Sequence, residues 1–301
     1  ISGASGFIGS HLCRMVNDLG HKVIYISRNI KKNEKKNHYS YEDLFHFKIN
    51  LNIDCFIHLA SPNYDFAKDK SLEDGITLLT SNILKALNYY NCKKFIYFSS
   101  AKIYGEPSLT NNNIFNEDSK PYPITDYGKE KLNAENKIIE HANNSNLDYV
   151  IYRMPMVYGS NSNSNINKLL MFIERSFPFI LFKDSKHLKK SLISIENIKL
   201  YLKYNIENPD SISCNIFNIT DKNNICLNEL ITNHKKNTNS NSLIITLPYF
   251  LLKMIVKIPI LKNYFLKLYG QLEISNKNIL NEYNIECLDT FNCIAHINHD
   301  E

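Results

Sequence analysis

Three glycines near the beginning of the chain constrain its fold more than any other feature. Gly3, Gly6 and Gly9 follow two residues, Ile1 and Ser2, at the spacing G-x-x-G-x-x-G. Glycines at this spacing between a strand and a helix let the backbone turn tightly, approach a pyrophosphate and direct the N-terminus of the helix at its negative charge. Because such a loop follows a buried strand, we expect the natural protein to begin several residues earlier, so that the first strand is truncated in this sequence.

Strand-like and helical segments alternate after this loop. The predicted strands are short apolar runs, at residues 21–27, 54–59, 94–99 and 149–153. The predicted helices lie before or between them, at residues 10–19, 74–90 and 129–142. Strands that alternate with helices form parallel sheets covered by helices. The pattern therefore predicts an α/β fold, a Rossmann-type doubly wound parallel sheet, with a smaller C-terminal lobe.

The length of the chain fits one large α/β unit with this lobe attached. We expect a dinucleotide-binding domain over residues 1–158 and a mainly substrate-binding lobe over residues 159–301. Residues 192–220 are expected to pack back onto the first domain. Two Asn/Ser-rich segments, at residues 160–165 and 237–242, are interpreted as loops.

Composition and charge exclude several classes of protein. Hydrophobic residues make up 44% and charged residues 22% of the sequence, which is typical of a globular protein. The net charge of +5 is dispersed, and we interpret the lysine-rich run at residues 31–36 as a solvated loop, so nucleic acid is not an expected partner. The seven cysteines include no Cys-x-x-Cys pair, which indicates a reduced, cytoplasmic protein without a structural metal.

The sequence predicts no membrane span, because no segment is apolar over the roughly 20 residues that a span requires. The most apolar stretch, residues 247–261, contains two prolines and is interrupted by Lys253 and Lys257. We interpret it as a helix of the C-terminal lobe that covers the substrate. A helix lying on a bilayer surface is the alternative.

The end of the second strand bears on the choice of cofactor. In this fold an acidic residue there favours the free 2′-hydroxyl of NAD, whereas a basic residue favours the 2′-phosphate of NADP. The sequence places Ser27 and Arg28 at this position. We therefore expect NADP rather than NAD, and a solvated surface arginine is the alternative interpretation of Arg28.

Tyr127 and Lys131 lie four positions apart at the start of a predicted helix, which places them on one helical face. A phenol with a pKa of about 10 is a poor acid or base at neutral pH, but a nearby ammonium and an oxidised nicotinamide stabilise the phenolate. Tyr127 is therefore predicted to donate or accept a proton. Ser99 and Ser100 end a predicted parallel strand, where ligand crevices open, and Ser100 is predicted to contact the substrate oxygen. A chance pair on a helix and a serine that caps a turn are the structural alternatives.

Five segments carry a resemblance to a known family. They are GASGFIG at residues 3–9, DCFIHLAS at 54–61, FSSAKIYGE at 98–106, DYGKEK at 126–131 and RMPMVYG at 153–159. In this order they resemble the extended short-chain dehydrogenase/reductases, also called the NAD-dependent epimerase/dehydratase family, over most of the chain. Two departures, the truncated first strand and a short stretch between Arg28 and Asp54, concern the adenosine side of the cofactor site.

The resemblance implies roles for individual residues. Ser100, Tyr127 and Lys131 would form the catalytic triad, and Lys131 would also hold the nicotinamide ribose. The residues expected at the cofactor are Gly3, Ser5, Gly6, Phe7, Ile8, Gly9, Arg28, Leu59, Ala60, Ser61, Ser99, Tyr127, Lys131 and Pro155. Those expected at the substrate are Ser100, Lys102, Asn165 as a contact to the nucleotide of a UDP-sugar, and Lys190 in place of a diphosphate-binding arginine.

The same resemblance implies an activity. The segments SSAKIYGE, KKSLISIENI and GQLEISNKNIL are most similar to bacterial reductases that act on the 4-keto group of UDP-4-keto-6-deoxy-N-acetylhexosamines. UDP-sugar 4-epimerases are close relatives and form the alternative. A catalytically silent NAD(P)-binding sensor or scaffold is the alternative from another class, and analogy with the family implies a homodimer.

Overall fold

The computed structural model of the chain describes residues 1–28, 37–49, 52–61, 75–110, 113–160, 162 and 164–297. The lysine-rich run at residues 31–36 lies outside the described residues, as do Asp74 at the start of a predicted helix and positions 161 and 163 of an Asn/Ser-rich loop.

The chain divides into two compact units. Unit 1 comprises Ile1–Gly105, Lys120–Arg153 and Lys199–Asn218. Unit 2 comprises Glu106–Ser119, Met154–Ile198 and Ile219–Glu301. The assignment of the dinucleotide to one domain and of the substrate to a lobe stays a prediction.

The first half of the chain contains most of the elements of unit 1, together with β5, which belongs to unit 2. In chain order they are α1 (Phe7–Asp18), β1 (Tyr25–Ser27), β2 (His38–Ser40), α2 (Tyr41–Phe45), β3 (Cys55–His58), α3 (Gly75–Tyr89), β4 (Lys94–Ser100), a 3-10 helix (Ala101–Tyr104), β5 (Ile114–Phe115), α4 (Asp126–Asn143) and β6 (Asp148–Met154). The elements that follow are β7 (Met156–Tyr158), α5 (Asn165–Glu174), β8 (Phe179–Phe182), β9 (Lys189–Lys190), β10 (Leu192–Ser194), α6 (Ile195–Glu207), β11 (Asn215–Asn218), β12 (Ile225–Cys226), α7 (Leu227–Asn237), β13 (Ile244–Leu247), α8 (Tyr249–Ile255), α9 (Pro259–Tyr269), β14 (Glu273–Ile274), α10 (Lys277–Tyr283) and α11 (Thr290–Ile297).

The strands of unit 1 form a parallel arrangement with a reversal of strand order at its centre. One sheet has the order β11-β6-β4-β3, and β1 pairs with β2 in parallel. Ser2 forms parallel bridges to Ile26 of β1 and to His58 of β3, and so joins the two parts. The combined order, β2-β1-Ser2-β3-β4-β6-β11, is the Rossmann order, and its switch point lies between Ser2 and β3. The predicted α/β fold is confirmed.

Burial explains why β4 lies inside this sheet. All seven of its residues are buried, as expected of a parallel strand covered on both faces. Lys94 at its beginning remains satisfied because its ammonium donates to the backbone oxygens of Pro209 and Ile212, at 2.5 and 3.1 Å. Helix α4 begins where the side chain of Thr125 accepts a hydrogen bond from the backbone of Gly128. Strand β4 carries Ser100, and helix α4 carries Tyr127 and Lys131.

Unit 2 is built from helices and short strand pairs around its own apolar core. The parallel pairs are β7 with β10, β8 with β13 and β5 with β14, and β9 pairs with β12 in antiparallel fashion. The single helix expected over residues 247–261 is instead the end of β13 followed by α8 and α9. Pro259 opens α9, and a proline at this position begins a new helix because its missing N–H needs no partner there.

None of the helices within the described residues is sufficiently long and apolar to cross a bilayer. The cysteines are free thiols, and burial raises the pKa of both Cys13 and Cys55 to about 11, which makes these two thiols weakly nucleophilic.

Candidate active site

The glycine loop lies at the switch point of the sheet and leaves no room for side chains at two positions. Gly3 has a φ of +72°, and a Cβ there would lie 2.9 Å from the backbone nitrogen of Ala60. A Cβ on Gly9 would lie 2.1 Å from the backbone oxygen of Gly3. The cap residue of α1 is Gly6, which has no side chain to cover the N–H groups of the first turn. The loop and the start of α1 therefore form a cradle of the kind that binds pyrophosphate.

The segment after β3 connects this loop to the tyrosine of α4. Ala60 lies against Gly3, and the hydroxyl of the next residue, Ser61, lies near the phenol of Tyr127 and lowers its pKa. This hydroxyl is buried and has no hydrogen-bond partner of ordinary geometry among the described residues. Ser100, at the end of β4, has the same effect on Tyr127. The glycine loop, the ends of β3 and β4 and the start of α4 therefore border one crevice in unit 1.

Burial and nearby hydroxyl groups act on the pKa of Tyr127 in opposite directions. Burial is the largest influence and raises the pKa of Tyr127, whereas the hydroxyls of Ser100 and Ser61 lower it. The ammonium of Lys131 lies 5.9 Å from the centroid of the phenol ring, and it donates a hydrogen bond of 2.8 Å to the backbone oxygen of Phe98. The lysine is thus anchored on β4, and its lowering of the tyrosine pKa together with an oxidised nicotinamide stays a prediction.

Lys131 lies in an apolar environment beneath the crevice. Only 2% of the residue is exposed, and its Nζ atom lies 4.7 Å from the centroid of the Tyr97 ring. Burial lowers the pKa of Lys131 to about 7, although the carboxylate of Glu135 acts in the opposite direction. A lysine with this pKa can exchange a proton near neutral pH.

A buried ionic network lies next to the site. Glu135 accepts a hydrogen bond from the hydroxyl of Ser99 and forms an ion pair of 2.8 Å with Arg153. Arg153 also donates to the phenol oxygen of Tyr104 at 2.9 Å, and Tyr104 donates to Asn218 at the same distance. Helix α4 and strands β4, β6 and β11 are therefore linked through polar side chains next to the crevice.

Unit 2 contains a separate cavity of about 290 Å³. Asn165, the first residue of α5, and Lys190 of β9 both line it, together with Lys168, Lys267 and Tyr264. Its remaining wall is mainly apolar. The ammonium of Lys190 donates to the backbone oxygens of Lys267 and Leu268 at 2.9 and 2.5 Å, and burial lowers the pKa of Lys190 to about 8. A cavity with apolar walls and three lysines suits an anion that carries a ring system.

A comparison with protein families identifies the family of this chain. The model of the NAD dependent epimerase/dehydratase family matches residues 1–199, which is more than half of the chain. This chain belongs to the NAD-dependent epimerase/dehydratase family. The resemblance found in the sequence motifs is therefore confirmed at the level of the family.

Individual members of the family are similar to this chain over different lengths. The UDP-glucose 4-epimerase of Vibrio cholerae is 29% identical over 152 residues, which are 50% of this chain and 45% of that protein. The chain spans about half the length of the curated relatives that it matches.

Solved structures show the same fold over almost the whole chain. The UDP-N-acetylglucosamine 4-epimerase from Bacillus cereus has a TM-score of 0.74 and 19% identity, and the alignment covers 98% of this chain and 96% of that one. MoeE5 in complex with UDP-glucose and NAD also has a TM-score of 0.74, at 18% identity and with coverage of 98% and 95%. At these identities the likeness concerns the fold.

Most of the residues that the sequence predicted for the cofactor site lie in unit 1. They are Gly3, Ser5, Gly6, Phe7, Ile8, Gly9, Leu59, Ala60, Ser61, Ser99, Ser100, Tyr127 and Lys131. Arg28 follows β1 and is exposed, and Lys102 lies in the 3-10 helix after Ser100. The remaining three, Pro155, Asn165 and Lys190, belong to unit 2.

Two side chains next to the site were missed in the sequence, Glu135 and Arg153. Glu135 lies four positions after Lys131 and eight after Tyr127, so the helical period alone places all three on one face of α4. Arg153 carried a weaker signal, as a charge at the end of an apolar strand. The hydroxyl of Ser99, which the sequence predicted at the cofactor, donates a hydrogen bond to Glu135.

Proposed function

We propose that this chain is a nicotinamide-dependent oxidoreductase of nucleotide sugars that acts as a UDP-sugar 4-epimerase. The observation that carries the proposal is the crevice in which the hydroxyls of Ser100 and Ser61 lie near the phenol of Tyr127, beside a glycine loop with no space for side chains at Gly3 and Gly9. Membership of the NAD-dependent epimerase/dehydratase family supports it, as does the likeness to epimerases of UDP-sugars.

The residues of unit 1 fit a nicotinamide dinucleotide. The cradle between Gly3 and Gly9 would hold the pyrophosphate, because a Cβ at either position would collide with backbone atoms. Leu59 and Ala60 would line the crevice next to it. When bound, the nicotinamide ring supplies reversible hydride transfer.

Three residues of the chain would manage the proton that accompanies this transfer. Tyr127 would take the proton from the sugar hydroxyl and return it, and Ser100 would orient the same oxygen. Lys131, held by the backbone oxygen of Phe98, would face the ribose and provide positive charge beneath the crevice. Burial raises the pKa of Tyr127, so positive charge near the phenol is what a base at this position requires.

The cavity of unit 2 suggests how the nucleotide part of the substrate is held. We assign the uridine and its diphosphate to this cavity, with Asn165 at the nucleotide and Lys190 at the diphosphate. The volume of about 290 Å³ is close to the lower limit for small-molecule sites, which is near 300 Å³. Replacing Lys190 with Met should raise the KM for the UDP-sugar about tenfold or more and leave dinucleotide affinity unchanged.

Reduction of a UDP-4-keto-6-deoxy sugar is the second candidate, favoured by the segments SSAKIYGE, KKSLISIENI and GQLEISNKNIL. The two activities differ in the fate of the dinucleotide. An epimerase interconverts UDP-glucose with its 4-epimer, or UDP-N-acetylglucosamine with its own, while added NADH or NADPH is not consumed. A reductase consumes one NADPH for each keto sugar and leaves the 4-hydroxy sugars unchanged. Dinucleotide binding without turnover of any of these sugars would instead favour a sensor or scaffold.

The preference between NADP and NAD is a separate proposal. Ser27 ends β1 and Arg28 follows it, and the cleft of unit 1 that Ser5 and Ser27 line also contains Arg14 and Asp18. The two arginines favour NADP, whereas the description of the family names NAD. Replacing Arg28 with Ala should weaken NADP binding by roughly 10- to 100-fold, the worth of a charge-assisted hydrogen bond, and leave NAD binding unchanged. Tighter binding of NAD than of NADP to the unmodified protein would refute this preference.

The role of Tyr127 is tested by its replacement with Phe. Loss of a general acid or base lowers kcat by roughly 10²- to 10⁴-fold, while dinucleotide binding should persist because the pyrophosphate cradle is unchanged. Tyr122→Phe is the matched control, since Tyr122 is exposed. Equal activity of the two variants would show that Tyr127 is not the proton donor or acceptor.

A further inference from the structure

The end of α8 and the beginning of α9 expose a group of apolar side chains. Met254 and Ile258 are 59% and 47% exposed, Ile260 is 89% exposed and Leu261 is 38% exposed. Phe250, one turn before Met254, is also exposed. We refer to residues 250–264 as the α8–α9 patch. Scattered exposed apolar residues are normal on a protein surface, but a contiguous group of this kind indicates an interaction site.

The charge of the surrounding sequence is strongly one-sided. Residues 230–272 contain six lysines and no aspartate or glutamate. Three of these lysines, Lys253, Lys257 and Lys262, lie within the patch, and all three are exposed. The patch therefore offers apolar side chains and ammonium groups to the same partner, and none of its own residues is acidic.

This combination distinguishes between possible partners. A second copy of the chain that used the same surface would bring the lysines of one patch against those of the other, which costs energy at an isologous contact. A nucleic acid would neutralise the lysines but would leave the isoleucines without an apolar environment. The surface of an anionic bilayer suits both the apolar side chains and the lysines. The apolar side chains enter the boundary between headgroups and acyl chains, while the lysines remain at the headgroups.

We propose that the α8–α9 patch docks this protein on the surface of a membrane that contains anionic lipids. Ile258, Ile260 and Leu261 enter the boundary region, and Lys253 and Lys257 with Lys262 contact the headgroups. The helices lie on the bilayer rather than across it, since α9 has only 11 residues. This docking does not depend on the proposed catalytic activity.

The experiment is flotation of the full chain with vesicles of phosphatidylglycerol and phosphatidylcholine in equal amounts, compared with vesicles of phosphatidylcholine alone. The chain should bind the anionic vesicles at least tenfold more tightly, and binding should weaken as salt is raised. Each lysine near an anionic surface contributes a factor of about five. Lys253→Gln/Lys257→Gln/Lys262→Gln should therefore lose about 100-fold, and Ile260→Asp should lose tenfold or more.

Matched controls separate the patch from general surface effects. Ile124→Asp removes an isoleucine of unit 1 that is 56% exposed. Lys129→Gln/Lys137→Gln/Lys203→Gln removes the same amount of charge from exposed sites outside the patch. Both controls should bind vesicles like the unmodified protein.

Three results would overturn the proposal. The first is no binding of the unmodified protein to anionic vesicles, and the second is equal loss of binding in the controls. The third is a dimer, seen by analytical ultracentrifugation, that Ile260→Asp dissociates while vesicle binding is absent. Every altered side chain is exposed, so an unchanged circular dichroism melting curve verifies that each variant is folded.

Discussion

Replacing Arg153 with Met should strongly destabilise unit 1, because it leaves a buried carboxylate without its cation. The side chain of Glu135 is 1% exposed and that of Arg153 is 6% exposed. Arg153 donates three hydrogen bonds to this carboxylate, at 3.3, 3.2 and 2.8 Å. In the variant, the hydroxyl of Ser99 would be the remaining hydrogen-bond donor to the carboxylate of Glu135 among the described residues.

The magnitude follows from the burial of both partners. Removing one member of a buried ion pair costs about 3–5 kcal/mol, because the remaining charge is neither solvated nor paired. The phenol of Tyr104 also loses the donor that lies 2.9 Å away, although it keeps its own bond to Asn218. A loss of about 3–5 kcal/mol is a large part of the roughly 5–15 kcal/mol that stabilises a typical domain.

The assay is urea unfolding followed by far-ultraviolet circular dichroism, since the chain contains no tryptophan. The double variant Glu135→Leu/Arg153→Met removes both charges and should be more stable than Arg153→Met alone, because apolar replacement of a buried pair is often neutral. Arg175→Met, at an exposed arginine, is the control. The reasoning is refuted if Arg153→Met costs less than about 1 kcal/mol, or if the double variant is less stable than the single one.

Three further outcomes are expected from single substitutions. Gly9→Ala should abolish dinucleotide binding in titration calorimetry, because the Cβ of the alanine would lie 2.1 Å from the backbone oxygen of Gly3. An unchanged dinucleotide affinity would contradict the proposed cradle. Lys131 has a pKa of about 7 when folded and about 10.4 when unfolded, so the unfolded chain binds more protons between these values and stability rises with pH in this window. Lys131→Met should flatten that rise by up to about 1.4 kcal/mol per pH unit in melts at pH 7 and 9. Parallel pH profiles of the variant and the unmodified protein would argue against the lowered pKa of Lys131. Tyr158→Phe removes a 2.6 Å hydrogen bond to the buried carboxylate of Asp221 and should lower the free energy of unfolding by about 1–3 kcal/mol. The control Tyr264→Phe, at an exposed tyrosine, should leave the melting temperature unchanged. Equal melting temperatures of the two variants would disprove this expectation.

The parts of the site that were predictable from the sequence depend on local spacing. Glycines three positions apart specify a turn before a helix, and residues four apart on a helix share a face, whatever the rest of the chain does. Gly3, Gly6 and Gly9, and likewise Tyr127 and Lys131, could therefore be assigned without a structure. The alternation of apolar strands and helices predicted the parallel sheet for the same reason.

The tertiary structure decided which segments that are distant in the chain come into contact. The anchoring of Lys131 on the oxygen of Phe98 and the approach of Ala60 to Gly3 both depend on which strands are neighbours. The pairing of Glu135 with Arg153 depends in addition on the distance between α4 and β6. Strand order and helix packing result from burial summed over the whole core, and no local pattern contains that sum. The sequence by itself determined the chemical groups and the turns that present them, and the packing determined which of those groups meet.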